Sequence, residues 1–295
     1  MKRKIVINGG TGMLGKKLTN ALLQKGYDIL MLSRNPIKYE NAFDSDISFY
    51  KFDSLTSSEE LSGALSGCYG IINLAGASIA GRRWTEQYKK ELYDSRIIPA
   101  KIIAEAITNL EIKPDFFINA SATGIYGNRE DEILNEESTL GNDFLANLCR
   151  DWESEAMKAK DHTRTVSVRI GVVLDEKGGA LEKLILPFKF FAGGHLGNGK
   201  QFLPWIHIED LIRSFLFIID NRDLSGAVIS STPNPSRNKD FSRDIGKVLS
   251  RPAFLPAPGF GLKILLGEFA GFLRSEEQTY ELQSRPAISA AVLCL

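Results

Sequence analysis

Near its amino terminus the chain reads IVINGGTGMLGKKL, residues 5–18, with Gly9, Gly12 and Gly15 set three apart between an apolar run and an amphipathic one. No other feature constrains the fold as tightly. A strand that turns at once into a helix, through backbone that excludes side chains, is either the phosphate-binding bend of a dinucleotide fold or a tight turn with nothing bound. In the first reading each glycine has its own task. Gly9 permits the turn, Gly12 lets the backbone approach a pyrophosphate, and Gly15 lets the helix close on the sheet. Thr11, Met13 and Leu14 bring backbone donors to the same place, where the positive end of the helix favours phosphate.

The rest of the chain alternates between strands and helices. Short apolar runs at 4–8, 28–32, 47–52, 69–76, 115–122 and 164–174 read as strands. Between them lie helical patterns at 13–25, 58–65, 86–110 and 142–159, the second with Ser57 and Ser58 as caps. Continuous apolar strands between helices predict a doubly wound, parallel-sheet Rossmann fold of the α/β class. After Gly178 the sequence turns rich in glycine and aromatics, then returns to a helix at 208–220, a strand at 226–231 and a helix at 238–249. A proline-stiffened connector follows at 251–259. We read residues 1–174 as an NADP-binding domain. Residues 175–295 are a smaller C-terminal lobe, interleaved with the first and capping the carboxyl ends of the strands, where such sheets bind ligands.

Charge narrows the partners. The 36 basic and 36 acidic residues cancel, which gives no electrostatic footprint for nucleic acid or an anionic membrane. No stretch offers the roughly 20 apolar residues of a bilayer-crossing helix, and the apolar run after MKRK stops too soon for a signal segment. Cys68, Cys149 and Cys294 have no metal-like or disulfide-like spacing, so reduced thiols in a cytoplasmic protein are expected. His207 stands beside an acidic pair, but three histidines and no serine elbow leave a hydrolase triad unsupported.

The end of the second strand selects the dinucleotide. An acid there would hydrogen-bond the ribose 2′-hydroxyl of NAD, whereas this chain has Ser33 and Arg34. A hydroxyl and a forked guanidinium suit a 2′-phosphate that a carboxylate would repel. NADP(H) is the expected cofactor, against the reading of Arg34 as an ordinary loop residue.

The stretches NGGTGMLGKKL, NLAGASIAGRRWT, DSRI, SATGIYG, DFLANLCRDWE, RIGVVL, GGALEKLILPF, GGHLGNGKQFLPWIHIEDL and RPAFLPAPGFGLKILLGE together resemble the extended short-chain dehydrogenases/reductases. These are the broad group of sugar-nucleotide epimerases and dehydratases. More narrowly the chain is similar to an atypical branch of epimerase family proteins, SDR39U1-like and YfcH-like. The likeness runs to about residue 268 and fades over RSEEQTYELQSRPAISAAVLCL. It implies further cofactor contacts from Asp53, Asn73, Ala75 and Gly76; Asp53 also reads as a plain turn residue before a helix.

For catalysis the resemblance implies a serine or threonine, a tyrosine, and a lysine four residues after the tyrosine. Ser121 and Thr123 fill the hydroxyl position. The tyrosine and lysine slots, set in register by Glu153, fall on Leu145 and Cys149, which can neither donate nor stabilise a proton in those roles. Two substitutes come forward: Tyr126, just past the fifth strand, and Arg96 on the long helix, each with a packing role as its bland reading. Arg82, Arg83 and Trp84 after the fourth strand, with Lys200, Gln201 and Trp205 further on, are candidates for contact with a small-molecule substrate. Three function classes follow: an NADP(H)-dependent oxidoreductase or isomerase with a nonstandard acid, a cofactor-binding sensor or interaction protein, and a nucleotide-sugar epimerase or dehydratase. A monomer or homodimer fits all three.

Overall fold

A computed structural model of the chain describes residues 2–39, 47–129, 131–254 and 280–282. Its first five strands are β1 (Lys4–Asn8), β2 (Asp28–Ser33), β3 (Ile47–Lys51), β4 (Gly70–Asn73) and β5 (Phe116–Ala122). After the short β6 (Glu132–Leu134) come β7 (Arg164–Ile170) and β8 (Val172–Asp175), then β9 (Phe202–Leu203), β10 (Trp205–His207), β11 (Gly226–Ser230), β12 (Ser236–Arg237) and β13 (Tyr280–Leu282). The helices are α1 (Met13–Gln24), α2 (Ser58–Leu65), α3 (Glu86–Asn109), α4 (Phe144–Met157), α5 (Gly179–Lys189), α6 (Ile208–Asp220) and α7 (Asn238–Leu249).

Seven strands form one parallel sheet in the order β11-β7-β5-β4-β1-β2-β3. The central strands β1, β4 and β5 are buried on both faces because their side chains alternate between two apolar layers, while the edge strand β3 is partly exposed. Ile5 and Ile7 join α1 and α6 on one face, while Val6 meets α2 and α3 on the other. Strand order reverses direction between β1 and β4, and that switch point opens a crevice at the carboxyl edge.

Capping fixes where the helices begin. Ser57 accepts from Glu60 N at 3.2 Å while the Glu60 carboxylate accepts from Ser57 N at 3.1 Å, a reciprocal box at the start of α2. Thr85 caps α3 and Asp143 caps α4 by the same kind of bond. α1 differs: Gly12 stands at its N-cap with no side-chain bond, and no acid occupies its first turn.

Two elements depart from the sequence expectation. The run read as one strand over 164–174 is broken at Gly171, where a Cβ would lie 2.6 Å from the Pro204 carbonyl oxygen. Beyond that break β8 leaves the large sheet to pair with β10. The irregular stretch after Gly178 contains α5, hidden from periodicity by Gly178, Gly179 and an interior Pro187. The second half of the chain also divides. α6 and β11 complete the large sheet and its apolar layer, while α5 and α7 pack together with the short strands nearby. The connector beyond Phe254 lies outside the described residues, as do Cys294 and all of the tail but 280–282. Among the described residues no helix is long and apolar enough to cross a membrane, and no cluster of His, Cys, Asp or Glu could hold a metal ion.

Candidate functional site

The glycine turn separates into two packed positions and one open one. Gly9 has φ +81°, and a Cβ on it would sit 2.9 Å from Ala75 N. At Gly15 a Cβ would lie 2.3 Å from Gly9 O and 2.6 Å from Gly10 Cα, so helix and turn touch through bare backbone. Gly12 is different. Its φ is −75°, which any residue adopts, and a Cβ there would meet only Gly9 O at 3.4 Å. Internal packing gives no reason for glycine at this position. Gly12 stands before helix amides that no side chain caps, and such a lining fits a pyrophosphate.

Next to the turn runs a row of buried amides that sequence reasoning missed in part. Asn8, Asn73 and Asn119 are Cα partners, Asn8 and Asn73 at the carboxyl ends of β1 and β4 and Asn119 midway along β5. Asn8 Nδ2 donates to Asn73 Oδ1 at 2.9 Å, Asn73 Nδ2 donates to Asn119 Oδ1 at 2.7 Å, and Asn119 Nδ2 donates to the Ala120 carbonyl at 2.8 Å. Asn73 Oδ1 also accepts from Ala75 N at 3.3 Å. The row therefore spans the switch point and fixes the loop leaving β4. Only Asn73 drew attention in the sequence. The signal for the others was present, since VING, IINL and FINA each carry Ile-Asn in an apolar strand.

The same loop is clamped from α3. Ser95 Oγ accepts from Ala77 N at 3.0 Å, and Arg96 Nη2 donates to the Ala77 carbonyl at 2.9 Å. Arg96 Nη1 donates to Leu92 O at 3.0 Å and stands 3.5 Å from Ser95 Oγ. The guanidinium lies so close beneath Gly76 that a Cβ there would meet Arg96 Cζ at 2.9 Å. Its other neighbour is the Trp152 ring, with Cζ 5.4 Å from the centroid. Arg96 is 9% exposed.

Across the switch point, Ser33 is buried at the end of β2 and its hydroxyl accepts from Asn35 N at 3.2 Å. Arg34 follows it into solvent. Asp53 holds its own turn, accepting from Leu55 N at 2.9 Å and receiving Lys51 Nζ at 3.8 Å.

The hydroxyl candidates past β5 are tied inward. Ser121 Oγ donates to Glu153 Oε1 at 2.6 Å. Arg169 grips the same carboxylate with Nε and Nη2, both at 2.9 Å, and donates from Nη1 to Tyr126 Oη at 2.7 Å. Tyr126 has no exposed surface and packs with Ile125, Leu134, Cys149 and Ile229. Burial outweighs the pull of Arg169 and pushes its phenol up to about 12. The sequence singled out Tyr126 and Ser121 but not the Glu153–Arg169 pair that holds them. Thr123 is buried at the start of the following turn. Leu145 faces Gly124, whose Cβ would meet Leu145 Cβ at 3.7 Å. Cys149 is buried, and burial pushes its thiol up to about 12.

α5 meets the first residue of α1 and the loop after β4. A Cβ on Gly179 would lie 3.0 Å from Met13 Sδ, and Lys183 Nζ donates to the Ala80 carbonyl. Of the proposed substrate contacts, Arg82 and Arg83 are exposed, Arg82 pairing with Glu91 at 3.4 Å. Trp84 is an interior residue: it is 3% exposed, donates Nε1 to Ile79 O at 2.9 Å and packs edge-on against Phe144. Lys200 is exposed, Gln201 is buried and donates to Leu196 O at 3.0 Å, and Trp205 sits half-buried on β10.

Residues 5–229 match the model of the NAD dependent epimerase/dehydratase family. The chain belongs to that family. Within the epimerase/dehydratase family it is 39% identical to epimerase family protein YfhF of Bacillus subtilis over 268 residues, 90% of this chain and 86% of the other. It is 37% identical over 270 residues to the chloroplastic epimerase family protein SDR39U1 homolog of Arabidopsis thaliana, covering 90% of this chain and 76% of that one. Human epimerase family protein SDR39U1 (isoform 2), crystallised with NADPH, superposes with a TM-score of 0.82 at 30% identity, over 98% of this chain and 97% of that one.

Proposed function

We propose that this family member binds NADP(H) across the glycine turn and acts as an NADP(H)-dependent oxidoreductase whose nicotinamide end works without a tyrosine–lysine pair. The observation that carries the reading is Gly12, a glycine that the protein's own packing does not require, set before an uncapped helix end. The NADPH held by the human relative supports the same cofactor. When bound, the dinucleotide supplies a transferable hydride. The chain's part is to hold the phosphates on α1, to receive the 2′-phosphate on Ser33 and Arg34, and to fix the β4-exit loop through Asn73, Ser95 and Arg96. Ser121 and Tyr126 act here as positioning residues, because Glu153 and Arg169 occupy their hydroxyls.

A second reading, a nucleotide-binding sensor, is favoured by the burial of Tyr126. The sugar-nucleotide epimerase reading is weaker, since removing a proton from a sugar hydroxyl calls for an accessible base and this phenol is sealed. Titration with NADPH and NADH tests the cofactor assignment. NADPH is expected to bind at least tenfold more tightly, and Arg34→Ala to weaken NADPH by roughly 10- to 100-fold with little change for NADH. Tighter NADH, or no uptake of NADPH, defeats the proposal. Hydride exchange from NADPH across a panel of small polar carbonyl compounds then separates oxidoreductase from sensor.

A further inference from the structure

We propose that Arg96 makes the site selective for the neutral, reduced nicotinamide over the cationic, oxidised one. The inference rests on the NADP(H) reading above and specifies what the protein does with the two redox forms.

Position comes from topology. With phosphates on the β1–α1 turn and the 2′-phosphate at the end of β2, the dinucleotide's other half extends over the opposite side of the switch point, above β4 and β5. Arg96 belongs to that side. It is bonded to Ala77 in the β4-exit loop and lies directly beneath Gly76. The Asn73 end of β4 and the Ala122 end of β5 are the sheet's carboxyl edge at this point.

Charge comes from the neighbours. Among the described residues no carboxylate pairs with Arg96; its acceptors are the carbonyls of Leu92 and Ala77 and the hydroxyl of Ser95. Glu153, which like Arg96 acts on Cys149, is neutralised by the Nε and Nη2 of Arg169. Asp143 is spent on the cap of α4. The Cys149 thiol stays protonated, and the Tyr88 hydroxyl donates to Ser78 O. Burial lowers the Arg96 pKa, yet a guanidinium remains charged at neutral pH. Nor can it swing aside, because three hydrogen-bond contacts and the Trp152 ring hold it. A fixed, desolvated positive charge penalises a second positive charge brought near it, and it leaves a neutral ring unaffected. Both redox forms carry the same phosphates, so the difference falls on the nicotinamide.

A purely structural Arg96, a strut for the β4-exit loop, makes a different prediction: its loss would weaken both forms alike. Dissociation constants for NADPH and NADP⁺, measured on the full chain by calorimetry without any substrate, separate the two. The wild type is expected to favour NADPH by roughly tenfold, from the scale of charge–charge interaction near a protein surface. Arg96→Met should bring that ratio close to one, and Arg96→Lys should keep most of it. Ser95→Ala, which loosens the loop without altering charge, should weaken both forms and leave the ratio unchanged. A wild type that binds the two forms equally overturns the inference even if Arg96→Met does not fold. So does an Arg96→Met protein that loses affinity for both by one factor. If neither nucleotide binds the wild type, the NADP(H) reading has failed, and this inference with it.

Discussion

Tyr126 shows how little a residue's type says until its hydroxyl is located. As a tyrosine just past a carboxyl-edge strand, it reads as a general acid. In the folded chain its oxygen accepts from Arg169 at 2.7 Å and its ring has no exposed surface. We therefore predict that Tyr126→Phe costs about 1.5–3 kcal/mol in denaturant unfolding, the range for a hydrogen bond to a charged group, and leaves the NADPH dissociation constant unchanged. A hundredfold loss of hydride transfer at unchanged stability would instead restore Tyr126 as the acid. Its titration gives a second measurement. The phenol lies near 10 in an unfolded chain and is pushed up to about 12 in the fold. Between those values the unfolded state has released a proton that the folded state keeps. This contribution is intact below pH ~10 and is lost as pH rises toward ~12, so stability falls across that window. The Tyr126→Phe variant should lose this part of the slope.

At the scale of elements, the glycine turn can be dissected because its positions differ in what surrounds them. Gly15→Ala forces a Cβ to 2.3 Å from Gly9 O. The helix must shift off the turn, and we expect a loss of about 1–3 kcal/mol, the usual cost of overpacking, seen as a lower Tm without any ligand. Gly12→Ala meets only an ordinary contact at 3.4 Å, so the ligand-free protein should melt within about a degree or two of the wild type. If the proposed cofactor site is right, its methyl group stands where phosphate would come, and NADPH affinity should fall by at least tenfold. Equal Tm losses in the two variants would mean that Gly12 serves packing alone. These elements were legible because their signals are local. The β-branched run of β1, the Ser57 cap of α2 and the apolar stripe of α6 need no knowledge of partners. α5 was illegible because Gly178, Gly179 and Pro187 read as punctuation. The Arg169–Glu153–Tyr126 cluster was illegible because it joins residues separated by up to 43 positions, and no periodicity records such a meeting.

For the whole molecule, the sheet order sets the function of the asparagine row. The crevice between β1 and β4 exists because the chain reverses its direction of sheet growth there, and a ligand lying across it touches both halves. Asn8 belongs to one half, Asn73 and Asn119 to the other, and their side chains are the polar link through the dry edge between them. Asn73 is the central member: it accepts from Asn8 and Ala75, and it donates to Asn119. Removing it leaves a buried donor on Asn8, a buried acceptor on Asn119 and an unfixed loop where the proposed site would hold the cofactor. Asn73→Ala should therefore cost about 2–4 kcal/mol, on the scale of buried polar groups left unmet. Its effect should also reach the ligand. Saturation at 100 times the dissociation constant stabilises a protein by about 2.7 kcal/mol, which for a chain of this size raises Tm by roughly 4–5 °C. The wild type should show that NADPH-dependent shift, and Asn73→Ala should show less than half of it at the same nucleotide concentration. If the variant is destabilised but keeps the full shift, the row holds the sheet together and takes no part in presenting the cofactor.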